Sequence, residues 1–264
     1  MTHPMPDLFS LKGRTALITG GSRGIGRMIA KGFLAQGAKV YISARKAAVC
    51  DATAAELSQY GTCISLPADV STVAGAQGLA AAYMALEPQL DILVNNAGAA
   101  WGEDYDTFPE SGWDKVVNLN MKTPFFLTQA LSEPLRKAAK SKVAKVINIA
   151  SIDGLSVNPQ ETYSYAASKA GLIHLTKRMA LRLAQDNIAV SAIAPGAFAS
   201  EMNKVARDHG DEVAKRVPAG RVGVDEDMAG TAIFLASRAG DYVVGATVTV
   251  DGGISFTRNA DITL

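Results

Sequence analysis

The chain has 264 residues, 48% of them apolar and 19% charged, with 26 Lys plus Arg against 25 Asp plus Glu. That mix is ordinary for a globular protein, and the charge balance gives no overall field to attract nucleic acid or an anionic membrane. No run approaches the roughly 18 apolar residues of a spanning helix, and Met1 to Arg14 carries two prolines and no apolar stretch suited to a leader, so a cytoplasmic protein without membrane or nucleic-acid partners is expected.

Leu11 to Thr19 passes from a basic edge at Lys12 and Arg14 into Ala16-Leu17-Ile18, which predicts a short buried strand. Ile25 to Gln36 sets Ile25, Met28, Ile29, Phe33 and Leu34 at helical spacing, and Gly37 suits a helix stop. Lys39 to Ala44 reads as the next strand. The alternation continues through a strand at Thr62 to Leu66, a helix from Val73 to about Leu86 and a strand at Asp91 to Val94. A long helix is predicted from about Gly112 to Arg136, then a strand at Lys145 to Ile149 and a helix from Tyr163 to Ala184. A strand at Ala189 to Ala194, a helix near Glu226 to Ser237 and a strand at Thr247 to Val250 close the series. Seven strands separated by helices imply right-handed crossovers, hence an α/β, doubly wound parallel sheet covered on both faces. No linker interrupts the rhythm, so residues 1–264 read as a single domain. The polar, charged stretch between Gly196 and Gly220 breaks the beat just past a strand's carboxyl end, where ligands bind in such sheets. Residues 197–220 are expected to form a lid.

Thr19-Gly20-Gly21-Ser22-Arg23-Gly24-Ile25-Gly26 stands where the first strand hands over to a helix. Glycines here allow a tight turn and close approach to a pyrophosphate, whose charge the free N–H groups of a helix start accept. A strand–helix turn needing only positive φ is the plainer alternative. The second strand ends in Ser43-Ala44-Arg45-Lys46, without the carboxylate that would take a ribose 2′-hydroxyl. Arg45 and Arg23 instead suit the planar recognition of a phosphate, so NADP(H) is the cofactor expected.

Tyr165 and Lys169 lie four apart at a helix start and share one face. A free phenol, with a pKa of about 10, is a reluctant proton carrier, and a neighbouring ammonium is expected to lower it. Tyr163 has no lysine four residues on. Ser151 follows the strand Val146-Ile147-Asn148-Ile149 and can donate to a carbonyl oxygen as negative charge develops there.

Thr19 to Gly26, Asn95-Asn96-Ala97-Gly98, Asn120, Ser151, Tyr165 with Lys169, Pro195-Gly196 and Asp251-Gly252-Gly253 stand in one order. From about Leu11 to Gly253 the chain resembles the short-chain dehydrogenase/reductase family. The resemblance implies a Rossmann-type fold, with Tyr165 as general acid, Ser151 orienting the carbonyl, Lys169 holding the nicotinamide ribose and Asn120 organising a water relay. It also implies cofactor contacts from Gly20, Ser22, Arg23, Gly24, Ile25, Gly26 and Arg45, and from Asp69 and Val70 near the adenine. Asn96, Ala97 and Gly98, then Tyr165 and Lys169, and finally Pro195, Gly196, Phe198 and Ser200 complete that implied set. A homotetramer is implied as well, with the helices of Asn120 and Tyr165 at one interface; Phe125, Phe126 and Leu127 suit either that interface or a core. Pro124 follows Asn120 by four residues and has no N–H for its carbonyl, so a kink that frees this carbonyl is expected. Three departures stand out. Ser200 replaces a usual threonine, Asp225 replaces a proline and is expected to cap the last helix, and the loop from Ser151 to Tyr165 is one residue longer than in many relatives.

Tyr41 to Arg45, Trp101-Gly102 and Ser111-Gly112-Trp113 resemble bacterial 3-oxoacyl reductases, especially the branch linked to rhamnolipid precursors. That points to reduction of a 3-oxoacyl thioester, although Trp101 and Trp113 serve equally well as packing residues. Interconversion of a sugar or polyol ketone with its alcohol is the second reading. A protein that binds NADP without catalysis is a third, disfavoured because it has no need of Asn120, Ser151, Tyr165 and Lys169 together. His3, His174 and His209 are scattered, and Cys50 and Cys63 lack ligand spacing, so no metal is expected.

Overall fold

The computed structural model describes residues 5–201 and 203–256. Its centre is a seven-stranded sheet in the order β3-β2-β1-β4-β5-β6-β7. The strands are β1 (Thr15–Thr19), β2 (Lys39–Ser43), β3 (Cys63–Ser65), β4 (Ile92–Asn95), β5 (Ala144–Ile149), β6 (Ile188–Pro195) and β7 (Thr247–Val250). Every pairing is parallel, so each connection crosses over and lays a helix on one face.

Successive side chains of a strand point to opposite faces, and β1 shows the result. Ile18 joins the layer holding Ile29, Phe33, Met228 and Leu235. Leu17 joins the layer holding Leu79, Leu127, Leu135 and Met179. The first layer is covered by α1 (Gly24–Ala35), α2 (Ala47–Leu57) and α10 (Asp225–Ala236), and the second by α3 (Val73–Met84), α5 (Thr123–Ala130), α6 (Ser132–Ala139) and α7 (Tyr163–Leu183). β4, β5 and β6 are buried along their whole length on both faces, which accounts for their mostly apolar sequences. The sheet order reverses between β1 and β4, which opens a crevice past their carboxyl ends.

The structure departs from the sequence reading in several places. The first strand begins at Thr15, because Leu11 turns back through the Arg14 N–H donating to its carbonyl at 3.0 Å. Helix α2 is additional: it buries Cys50, Thr53, Ala54 and Leu57, a helical spacing carried mostly by small residues. The long helix expected at 112–136 is divided. Helix α4 (Glu110–Val117) widens into a π turn at Asn118–Lys122, continues as α5, and breaks at Leu131 before α6. Pro134 explains the second break, since it offers no N–H to the carbonyl of Ala130. Asp225 is not the cap of α10. Val224 occupies that position and its N–H donates to the Asp227 carboxylate at 2.9 Å, while Asp225 pairs with Lys31 at 3.1 Å.

Leu127 is core, and Phe125 is exposed on the same helix. Trp101 lies flat against Gly112, with the Lys115 ammonium 5.0 Å from its ring centre. Among the described residues no helix is long and apolar enough to cross a membrane, and no group of His, Cys, Asp and Glu is placed to hold a metal ion. Cys50 and Cys63 are free thiols.

Candidate active site

The glycine turn lies at the crevice. Gly20 and Gly24 have φ of +66° and +52°, a region in which L side chains are strained. At Gly26 the constraint is proximity instead: a Cβ there would overlap the carbonyl oxygen of Gly20 and the Asn96 amide. That amide nitrogen donates to the carbonyls of Thr19 at 2.8 Å and Gly20 at 3.2 Å, while the N–H groups of Asn96 and Ala97 both donate to Thr19 Oγ1 at 3.0 Å. The turn is thus stapled to the end of β4, with the start of α1 pointing into the crevice.

Arg23 and Arg45 stand exposed on the outer rim of this turn and, among the described residues, enter no ion pair, unlike Arg27, which holds Glu56. Ser22 is buried beneath them, its carbonyl accepting from Thr53 Oγ1 at 3.1 Å. On the other side, Val70 is buried and its carbonyl accepts from Thr123 Oγ1 at 2.6 Å; Asp69 is exposed and accepts the Ser71 N–H at 3.0 Å. A concave glycine cradle flanked by two exposed guanidiniums fits an adenine dinucleotide carrying an extra phosphate.

Ser151, Tyr165 and Lys169 meet at the carboxyl end of β5. Ser151 is buried, stands close enough to the Tyr165 phenol to act on its pKa, and accepts the Asp153 N–H at 3.1 Å. Lys169 is 4% exposed; its ammonium donates to the carbonyl of Ile149 at 2.7 Å and lies 5.6 Å from the centre of the Tyr165 ring. Burial pushes the Lys169 ammonium down to about 8, with Asp153 opposing. Burial pushes the Tyr165 phenol up to about 12, the Ser151 hydrogen bond opposing and Asp153 reinforcing. This corrects the expected direction for Tyr165: removal of the phenolate from water outweighs an ammonium that is directed at a backbone carbonyl.

Asn120 is 1% exposed and sits inside the π turn, where the Thr123 N–H reaches back to the carbonyl of Asn118. Its Oδ1 accepts the Ala99 N–H at 2.8 Å, and its Nδ2 donates to the Ala99 carbonyl at 2.9 Å and to Ser168 Oγ at 3.0 Å. Ser168 in turn donates to the Tyr165 carbonyl at 2.8 Å. Asn120 therefore ties the strand-end loop to the helix of Tyr165.

With this geometry in hand, comparison with known proteins is decisive. Residues 20–255 match a family model described as enoyl-(acyl carrier protein) reductase, one of the short-chain dehydrogenase group. The chain is a short-chain dehydrogenase/reductase. It is 47% identical over 253 residues to the rhamnolipids biosynthesis 3-oxoacyl-[acyl-carrier-protein] reductase of Pseudomonas aeruginosa, covering 94% of this chain and 99% of that protein. It is 39% identical to the 2-dehydro-3-deoxy-D-gluconate 5-dehydrogenase of Bacillus subtilis, over 94% and 96% of the two chains. The solved NADP active-site complex of Pseudomonas aeruginosa RhlG superposes with a TM-score of 0.92 at 45% identity, covering 97% of this chain and 100% of that one. The protein is an NADP-dependent oxidoreductase of this family, acting on CH–OH and C=O groups.

The remaining family positions fall at the same crevice. Pro195 closes β6, and the Gly196 N–H donates to the Val250 carbonyl at 2.9 Å. Phe198 is buried and bridges to Gly223, and Ser200 stands over the glycine turn, where a Cβ on Gly24 would be 3.4 Å from its own. The segment that follows is not a plain loop; it carries α8 (Lys204–Asp208) and α9 (Gly210–Ala214). Asn96, which the resemblance places near the ribose, uses its side-chain amide to hold the glycine turn.

The sequence reading missed the supports of the site. Asn95 donates to Asn148 Oδ1 at 2.8 Å and Thr128 Oγ1 at 3.2 Å, and Asn148 donates to Thr176 Oγ1 at 2.9 Å. This buried ladder crosses β4 and β5 in register. Polar residues inside two otherwise apolar strands were the available signal, since a buried amide requires partners.

Proposed function

We propose that the protein reduces the ketone of a 3-oxoacyl thioester to the 3-hydroxyacyl form. The observation that carries the proposal is the convergence of the Tyr165 phenol and Ser151 hydroxyl above a buried Lys169, beside the glycine cradle. Bound NADPH supplies the hydride. Ser151 donates a hydrogen bond to the ketone oxygen and fixes its direction, and Tyr165 gives that oxygen its proton. A phenol pushed up to about 12 is fully protonated at neutral pH, the form a reduction requires. Lys169 holds positive charge under the phenol and limits the cost of proton loss. Asn120 is a positioning residue, since it grips Ala99 and Ser168 and so sets the helix that carries Tyr165. The segment 197–220 serves as the lid.

The reading is supported by the 47% identity to a 3-oxoacyl reductase. A second reading, oxidoreduction of a keto sugar acid, is supported by the 39% identity to a gluconate-type dehydrogenase. The test is NADPH oxidation with acetoacetyl-CoA, longer 3-oxoacyl thioesters and 5-keto-D-gluconate, each with wild type and Tyr165→Phe. Thioester reduction that falls at least about a thousandfold in Tyr165→Phe is expected. Turnover of the keto sugar acid alone would replace the proposal with the second reading.

A further inference from the structure

Asp153 lies two residues past Ser151, inside the single 3₁₀ turn Ile152–Gly154. Its backbone N–H holds Ser151 Oγ at 3.1 Å, so turn and hydroxyl are fixed together. Behind it the turn rests on α7: a Cβ at Gly154 would stand 2.7 Å from the carbonyl carbon of Lys169, a contact that leaves no room for the turn to back away. Asp153 is half-buried, and among the described residues no salt bridge or side-chain hydrogen bond engages its carboxylate. That carboxylate is close enough to both Tyr165 and Lys169 to raise the pKa of each. A charge so placed acts on whatever the hydroxyls of Ser151 and Tyr165 hold.

The surroundings reinforce its sign. The Glu103 N–H donates to the Glu161 carbonyl at 3.2 Å, which brings the loop after β4, with Glu103 and Asp104, against the segment leading into α7. Glu161 accepts from Tyr163 Oη at 3.3 Å. Several cations of the site and its flanking segments are already engaged. Lys169 donates to the Ile149 carbonyl, Lys115 covers Trp101, Arg207 holds Glu201 and Asp208, and Arg221 grips Asp227 with contacts of 2.5 and 2.9 Å. Lys204, Lys215 and Arg216 are exposed on the lid segment beside Asp211 and Glu212.

We propose that Asp153 is a specificity-determining residue, whose carboxylate excludes substrates carrying a negative charge next to the reacting carbonyl. Neutral 3-oxo esters and thioesters are accepted, and 3-oxo acids and keto sugar acids are refused. The physical basis is like-charge repulsion in a partly desolvated site, where the ammonium beside the two hydroxyls, Lys169, is directed at the Ile149 carbonyl. The proposal rests on reading Ser151, Tyr165 and Lys169 as the reducing site.

A matched pair of probes isolates the charge. Ethyl acetoacetate and acetoacetate share the reacting ketone and differ in one carboxylate. In Asp153→Asn and Asp153→Ser, kcat/KM for acetoacetate is expected to rise at least about tenfold relative to the ester, whereas Asp153→Glu keeps the wild-type ratio. In the wild type, added salt is expected to raise turnover of acetoacetate more than that of the ester. A ratio within twofold of wild type in both neutral variants, or a wild-type ratio flat across the salt series, overturns the proposal. Ester reduction that survives Tyr165→Phe unchanged overturns the reductase reading instead, so the two failures are told apart.

Discussion

Lys169 has an energetic consequence that can be separated from catalysis. Its ammonium is held at about 8 by burial, against an ordinary value of 10.5. A lysine depressed on folding makes the folded state bind fewer protons than the unfolded chain between those two values, so stability rises with pH across that window. Below pH 8 the native state carries the whole cost, about 3 kcal/mol for a shift of this size. Lys169→Met removes that cost but leaves the Ile149 carbonyl without its 2.7 Å donor, a loss of about 1–2 kcal/mol. The variant is therefore expected to be more stable than wild type by about 1–2 kcal/mol at pH 7, a rise of roughly 2–8 °C in Tm. The advantage should vanish near pH 9 to 10 and reverse above it, since the neutral amine still donates to Ile149 while the charging cost is gone. Urea unfolding of both proteins at unit pH steps measures the difference directly. A variant no more stable than wild type at pH 7, or a difference independent of pH, would refute burial as the source of the depressed value. NADPH-dependent turnover by the same variant should be nearly lost at every pH, which shows a group kept against stability for function.

Four further outcomes are expected. In the reductive direction kcat should hold between pH 6 and 7 and fall through the Lys169 value of about 8, because Tyr165, at about 12, does not titrate in that range; a profile flat to pH 10 would count against this assignment. Gly26→Ala places a methyl on the Gly20 carbonyl and the Asn96 amide, and calorimetry should show NADPH affinity at least about tenfold weaker with stability lower by about 1–3 kcal/mol. Arg45→Asp with Arg23→Ala should reverse selection toward NADH, the kcat/KM ratio moving by about a hundredfold or more; an unchanged ratio removes both guanidiniums from phosphate recognition. Pro124→Ala restores an N–H opposite Asn120 and should close the π turn, lowering kcat about tenfold; an unaltered kcat and pH profile leave the π turn without a catalytic part.

The elements that sequence makes legible here are the ones encoded over a few residues. The strand at Ala16 to Ile18, the helix face of Met28, Ile29 and Phe33, and the glycine turn announce themselves because period and backbone freedom are local properties. The pairing of Tyr165 with Lys169 is local too, being four residues on one helix face. Small residues hid α2 within the same logic, and the two prolines that divide the helix after Glu110 marked bends whose form, a π turn and a clean break, depends on what each freed carbonyl finds.

Sequence alone determined the doubly wound α/β rhythm, the glycine turn after the first strand and the pairing of Tyr165 with Lys169 on one helix face. Tertiary structure decided the rest: that Asn120 grips Ala99 and Ser168, that Asn96 secures the glycine turn, that Asp153 comes close enough to Tyr165 and Lys169 to act on both, and that the Tyr165 phenol rises instead of falling. Each of those depends on a distant segment arriving to displace water or supply a partner. Desolvation and long-range contact are properties of the packed chain, and no short stretch of residues contains them.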